Sequence, residues 1–263
     1  MMSLSDVFAA ARAESRAALI GYLPAGFPTV EGSKDYLRSM VESGCDLVEV
    51  GLPFSDPVMD GPTIQAAAEQ ALAAGFRVRD LFDVVAAVAD AGGRAVVMTY
   101  WNPVLRYGVD AFSRDLAAAG GLGMITPDLV PDEADDWMAA SEAHGLDRIF
   151  LVAPSSTEER IAMTARASSG FLYATAVMGV TGARDVVSSA APELVGRVRE
   201  HTSIPVGVGL GVRSGSQAAE IAGFADGVIV GSAFVSAVAE GDGAVRALTA
   251  DLAKGVRSAA ATV

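Results

Sequence analysis

Asp46-Leu-Val-Glu-Val-Gly51, then Leu52-Pro-Phe-Ser-Asp-Pro-Val-Met-Asp-Gly-Pro62, then an Ala-rich stretch ending at Gly75, is one strand–loop–helix unit. The first piece is a short apolar run without sustained apolar/polar alternation, as expected of a parallel strand covered on both faces. Pro62 stands where a helix accepts proline, in its first turn, and Gly75 stands just past the helix end. Similar runs recur at Ala18–Tyr22, Ala95–Thr99, Gly123–Thr126, Ile149–Val152, Phe171–Ala174, Val206–Gly209 and Gly227–Val230, making eight with Leu47–Gly51. Asp80 and Asp110 are read as N-caps. Ser156 with Glu159, and Ser214 with Gln217, have capping-box spacing. Gly44, Gly120, Gly145 and Gly223 read as C-terminal stops.

Eight strand–helix pairs, a leading helix near Ser5–Glu14 and a trailing one near Ala244–Ser258 leave no room for a linker. The chain has 263 residues, and barrels of this type commonly fill about 250 as one unit. The expectation is a (β/α)8 TIM barrel with an extra N-terminal and an extra C-terminal helix, residues 1–263 forming a single domain. A doubly wound open sheet is the alternative.

Composition narrows the function. The net charge of −13 argues against nucleic acid and anionic membrane as default partners. No apolar stretch approaches the ~18 residues of a spanning helix, and the charged N-terminus lacks a signal-peptide core. Cys45 is the only cysteine, so no intrachain disulfide can form and a reducing, cytoplasmic setting is expected. His144 and His201 fall at helix ends as surface or capping residues. No clustered His/Cys/carboxylate set suggests a zinc or iron site, and a Ser–His–Asp nucleophile is unsupported. Lys34 and Lys254 lie in helical segments, poorly placed for Schiff-base chemistry. Carboxylate and tyrosine remain for proton transfer.

Barrel active sites lie at the C-terminal ends of the strands. Glu49 interrupts an apolar strand and shares a face with Leu47 and Gly51. Burial would raise its pKa, which suits a group that gives and takes a proton near neutrality. A structural Glu paired with a buried Arg or Tyr is the other reading. Asp56 and Asp60 in the following loop have turn chemistry, but Asp60 can share a cavity with Glu49. Gly207-Val-Gly-Leu-Gly211 and Gly231-Ser232 end the seventh and eighth runs, where barrels bind phosphate through backbone N–H groups; ligand-free tight turns are the alternative. The long connection Val177–Asp185 beyond Tyr173 has the character of a lid.

In this order the motifs Glu49–Pro62, Thr99-Tyr-Trp-Asn-Pro103, Gly179-Val-Thr-Gly182 and the paired glycine loops resemble the alpha subunit of tryptophan synthase over nearly the whole chain. The resemblance implies retro-aldol cleavage of indole-3-glycerol phosphate to indole and glyceraldehyde 3-phosphate. It implies that Glu49 shuttles protons, that Asp60 holds the indole N–H, and that Tyr173 stands beside them. Tyr22, Ile64, Met98, Tyr100 and Ile125 would wall the indole. Gly182, Leu210, Gly211, Gly231 and Ser232 would hold the phosphate, with Thr181 orienting Asp60. No metal or cofactor of its own is implied. The implied partner is a beta subunit carrying pyridoxal phosphate, in an α2β2 assembly, met through Pro53–Asp60 and Asn102–Tyr107, with Asp128–Pro131 nearby. Ala176 departs from the family's Tyr-x-x-Ser pattern, and Ile125-Thr-Pro-Asp128 from its commoner Val-Pro-Asp form. The rivals are a sugar-phosphate isomerase or epimerase on the same scaffold and a non-catalytic scaffold barrel.

Overall fold

A computed structural model describes residues 3–175, 190–209 and 211–258. Its strands are β1 (Ala18–Pro24), β2 (Leu47–Gly51), β3 (Ala95–Met98), β4 (Gly123–Ile125), β5 (Asp147–Ile149), β6 (Leu151–Val152), β7 (Leu172–Thr175), β8 (Val206–Gly209) and β9 (Gly227–Val230). All pairings are parallel, and the sheet runs β5-β4-β3-β2-β1-β9-β8-β7-β6. β5 and β6 are separated only by Phe150, so they form one stave and the sheet is an eight-staved, nearly closed barrel. The division falls where the pairing changes sides. The Ile149 carbonyl accepts from Thr126 N–H beyond β4, while the Phe150 carbonyl accepts from Tyr173 N–H on β7.

The helices are α1 (Leu4–Ala13), α2 (Val30–Ser43), α3 (Pro62–Ala73), α4 (Val78–Asp90), α5 (Trp101–Tyr107), α6 (Val109–Ala118), α7 (Asp135–His144), α8 (Glu158–Ala167), α9 (Ala190–Arg199), α10 (Gly215–Ala222), α11 (Ser232–Glu240) and α12 (Asp242–Ser258). Leading and trailing helices are α1 and α12, as expected. Ser214 caps α10 by accepting from Gln217 N–H, while the Gln217 side chain accepts from Arg213 N–H. Other ends are shifted. Asp80 is the third residue of α4 and accepts from Arg77 N–H. Asp110 lies inside α6 and pairs with His144 at 2.8 Å. Thr157, not Ser156, caps α8. Gly145 ends α7 at φ 67°, whereas Gly223 keeps helical φ (−68°).

Two apolar layers follow from strand alternation. Val48, Val50, Val97, Val206, Val208 and Val228 face the helices. Ile20, Leu47, Val96, Ile125, Ile149, Phe171 and Ile229 fill the barrel. The N-terminal end of the barrel is stopped by α1, whose Leu4, Val7, Phe8 and Ala11 join the interior cluster, with the Phe8 and Phe171 rings 5.4 Å apart. Phe8 fits because Gly227 has no side chain: a Cβ there would lie 3.1 Å from both Phe8 and Ile20. Burial of one such ring contributes about 1.5–3 kcal/mol. With one end filled, the polar inward residues are left at the other.

Candidate active site

Glu49 lies on the interior face of β2, beside Leu47 of the interior cluster and opposite in direction to Val48 and Val50. It is wholly buried, and neither carboxylate oxygen has a hydrogen-bond partner. The paired structural Glu considered from sequence is therefore not what forms among the described residues. Desolvation pushes its pKa up to about 8, because a buried, unpaired carboxylate disfavours its charged form.

Asp60 closes the loop after β2, half-buried, its main-chain carbonyl accepting from Gln65 Nε2 at 2.7 Å. Burial pushes its pKa up to about 6, against a hydrogen bond from Tyr100 that favours the ion. At pH 7 the two carboxyl groups therefore differ: Glu49 is mostly protonated and Asp60 mostly ionised, a separation suited to acid–base division of labour. Asp56 is exposed and accepts from Ser55 Oγ, which fits its turn reading.

Around this pair stand the expected wall residues. Register sets Tyr22 beside Glu49, Met98 beside Gly51, and Ile125 beside Met98. Ile64 on α3 reaches the same mouth; its Cδ1 lies 3.6 Å from where a Gly231 side chain would begin. Two inward glycines make room for two phenols. A Cβ on Gly51 would lie 2.3 Å from Tyr22 Oη, and one on Gly209 2.4 Å from Tyr173 Oη. Both phenols are buried, and desolvation followed by the Glu49 and Asp60 charges holds them well above the ordinary tyrosine range. They are donors at working pH.

Tyr100 does more than the apolar role expected of it. Its oxygen accepts from Met59 N–H at 3.0 Å while its proton faces Asp60, and its ring packs 5.2 Å from Phe54. The next residue, Trp101, donates its N–H to Asp128 at 2.9 Å. The loops after β2, β3 and β4 are thus joined around Asp60. Neither the Tyr100 hydroxyl nor Gln65 was assigned this task from sequence. Gln65 in the first turn of α3, just past the Asp-Gly-Pro of the loop, was the available signal.

At the other side of the mouth, Gly211 takes a left-handed φ of 68°, and Gly231 precedes α11, where Ser232 is the first residue. The first bonds back are from Phe234 and Val235 to the Gly231 carbonyl. The N–H groups of Ser232 and Ala233 thus head the helix, an arrangement that suits an anion. Ala233 was not singled out from sequence. Thr181, Gly182, Leu210 and the departure at Ala176 lie outside the described residues.

Lys34 pairs with Glu31, Lys254 is exposed on α12, and His201 pairs with Glu158. No group of three His, Cys, Asp or Glu among the described residues could hold a metal. The large apolar side chains exposed among the described residues are Val58, Leu105 and Val130. Val58 and Leu105 fall in the two segments expected to meet a partner, and Val130 in the segment expected nearby.

The profile of the tryptophan synthase alpha chain family matches residues 8–262. The chain belongs to that family. The tryptophan synthase alpha chain of Nocardia farcinica is 72% identical over 256 residues, covering 97% of this chain and 96% of that protein. The structure of Mycobacterium tuberculosis tryptophan synthase contains a chain 67% identical, with a TM-score of 0.94 and coverage of 98% and 99%. A tryptophan synthase alpha subunit of Pyrococcus furiosus, 30% identical, retains a TM-score of 0.83 over 90% of this chain and 98% of its own. As a tryptophan synthase alpha chain it is a lyase of tryptophan biosynthesis that cleaves indole-3-glycerol phosphate, and it is the partner of a beta chain. No helix among the described residues is long and apolar enough to cross a membrane.

Proposed function

We propose that Glu49 and Asp60 carry the cleavage and that the phosphate rests on the ends of β8 and β9. The observation that carries this reading is the Glu49 carboxyl group, wholly buried with both oxygens unpartnered at the mouth of the barrel. A pKa of about 8 starts the reaction with an acid. Glu49 gives its proton to indole C3, and the positive charge spreads to the ring nitrogen, whose N–H is held by ionised Asp60. The bond between C3 and the first glycerol carbon then breaks, its electron pair returning to the ring. The hydroxyl on that carbon becomes the aldehyde as its proton passes to the Glu49 carboxylate. Atoms and charge balance, and Glu49 returns to its starting state. Neither step calls for a lysine.

Tyr22, Ile64, Met98, Tyr100 and Ile125 supply the apolar wall, with Tyr173 beside the reacting atoms. Gly211, Gly231 and Ser232 offer backbone N–H groups to the phosphate, and Thr181, Gly182 and Leu210 are proposed to complete that end. On a chain of net charge −13, local dipoles of this kind must offset the overall field. The pyridoxal phosphate is assigned to the beta chain in an α2β2 assembly, with Val58, Leu105 and Val130 on the docking face. The chain is read as a single-domain cytoplasmic protein, consistent with its lone Cys45.

The test is Glu49→Gln assayed for indole release, alongside binding of indolepropanol phosphate. Cleavage should fall by about 10²–10⁴, the usual contribution of a positioned acid/base, while the analogue still binds. Near-normal turnover by the folded variant would remove Glu49 from the mechanism.

A further inference from the structure

Tyr22 carries a group that an apolar wall does not need. Its ring rises from β1, beside Glu49, and crosses the inner face of β2. The hydroxyl oxygen stands where Gly51, two residues beyond Glu49, would carry a side chain. The near side of the same ring faces the phosphate end: a Cβ on Gly231 would lie 3.6 Å from Tyr22 Cδ1 and 3.8 Å from its Cβ. Tyr22 therefore spans from the head of α11 to the inner face of β2 beyond Glu49, where both carboxylates act on its hydroxyl. That is the stretch the glycerol chain must occupy if phosphate and indole sit as proposed above.

The Tyr22 hydroxyl has no hydrogen-bond partner among the described residues, although the side chain is only 8% exposed. Its ionisation is suppressed first by burial and then by the charges of Asp60 and Glu49, so it meets a ligand as a donor. The substrate has two glycerol hydroxyls. One becomes the aldehyde; the other, on the next carbon toward the phosphate, survives the reaction and has no partner in the mechanism so far.

We propose that the Tyr22 hydroxyl hydrogen-bonds this surviving hydroxyl, making Tyr22 a specificity-determining residue and not only a wall. The inference rests on the assignment of Glu49, Asp60 and the phosphate end. The experiment compares the wild-type chain with Tyr22→Phe, each with its beta chain. Three ligands are used: indole-3-glycerol phosphate, the same substrate lacking the surviving hydroxyl, and indolepropanol phosphate, which lacks both.

Tyr22→Phe should lose about tenfold in kcat/KM on the full substrate, the size of one neutral hydrogen bond to a buried group. On the deoxy substrate the two proteins should agree within about twofold, and their affinities for indolepropanol phosphate should match equally well. Unchanged kcat/KM on the full substrate would overturn the proposal. So would an equal loss on all three ligands, which would mark a packing effect. If the wild-type chain neither bound the analogue nor released indole, the assignment of the site would fall first, so the two failures are distinguishable.

Discussion

Glu49 should make the protein less stable than it needs to be, by an amount that depends on pH. Its folded pKa is raised from the ordinary glutamate value of 4.5 to about 8 by burial alone. The sign follows: below pH 4.5 the group is protonated in both states and costs nothing in charge. As pH rises through that value the unfolded chain releases the proton while the folded chain keeps it, so stability falls until pH 8 and then levels. At 1.36 kcal/mol per pH unit, the cost is about 1 kcal/mol at pH 5, about 3 at pH 7 and about 5 at pH 9. Glu49→Gln keeps the shape and removes the titration. Its own amide is also buried unpartnered, so the informative quantity is how the difference between the two proteins changes with pH. Between pH 5 and pH 7 that difference should grow by about 2 kcal/mol in favour of the variant, or about 4–8 °C in Tm for a chain of this size. Thermal unfolding of both proteins at pH 5, 6, 7 and 8 measures it. Parallel curves would refute the claim that Glu49 is buried without a partner, and with it the acid role.

Removing the Tyr100 hydroxyl (Tyr100→Phe) deletes the hydrogen bond that lowers the Asp60 pKa; the acidic limb of kcat/KM should move to higher pH, and an unmoved limb would separate Tyr100 from Asp60. Asp60→Ala should nearly abolish indole release, with unaltered turnover refuting the ring-nitrogen role. Gly51→Ala drives a methyl group to within 2.3 Å of Tyr22 Oη, so titration should show weaker indolepropanol phosphate binding; unaltered affinity would mean the phenol can move aside freely. Val58→Glu and Leu105→Glu alter exposed side chains and should weaken association with the beta chain by calorimetry without lowering Tm; normal association would move the docking face elsewhere.

The barrel was legible because each stave is covered on both faces, so its sequence reads as an apolar run between glycine and proline punctuation. The inward direction of Glu49 followed from strand alternation past Leu47, and the mouth position of Asp60 from the loop it closes. Helix starts were less legible. Asp80 serves as an N-cap residue or at the third helical position equally well, and only the geometry of Arg77 N–H decides between them. Phe150 divides a stave because its carbonyl turns to a different neighbour from that of Ile149, a matter of pairing that local composition does not encode. Tyr100 illustrates the harder limit. Its ring is apolar in any scheme, but the partners of its hydroxyl lie about forty positions upstream and become neighbours only when three loops converge.

The stopper formed by Leu4, Val7, Phe8 and Ala11 turns the cylinder into a blind vessel. A small uncharged product such as indole could otherwise seep through an apolar tube and be lost to solvent. With its floor sealed by the Phe8 and Phe171 rings, traffic is confined to the opposite rim, where Glu49 and Asp60 stand.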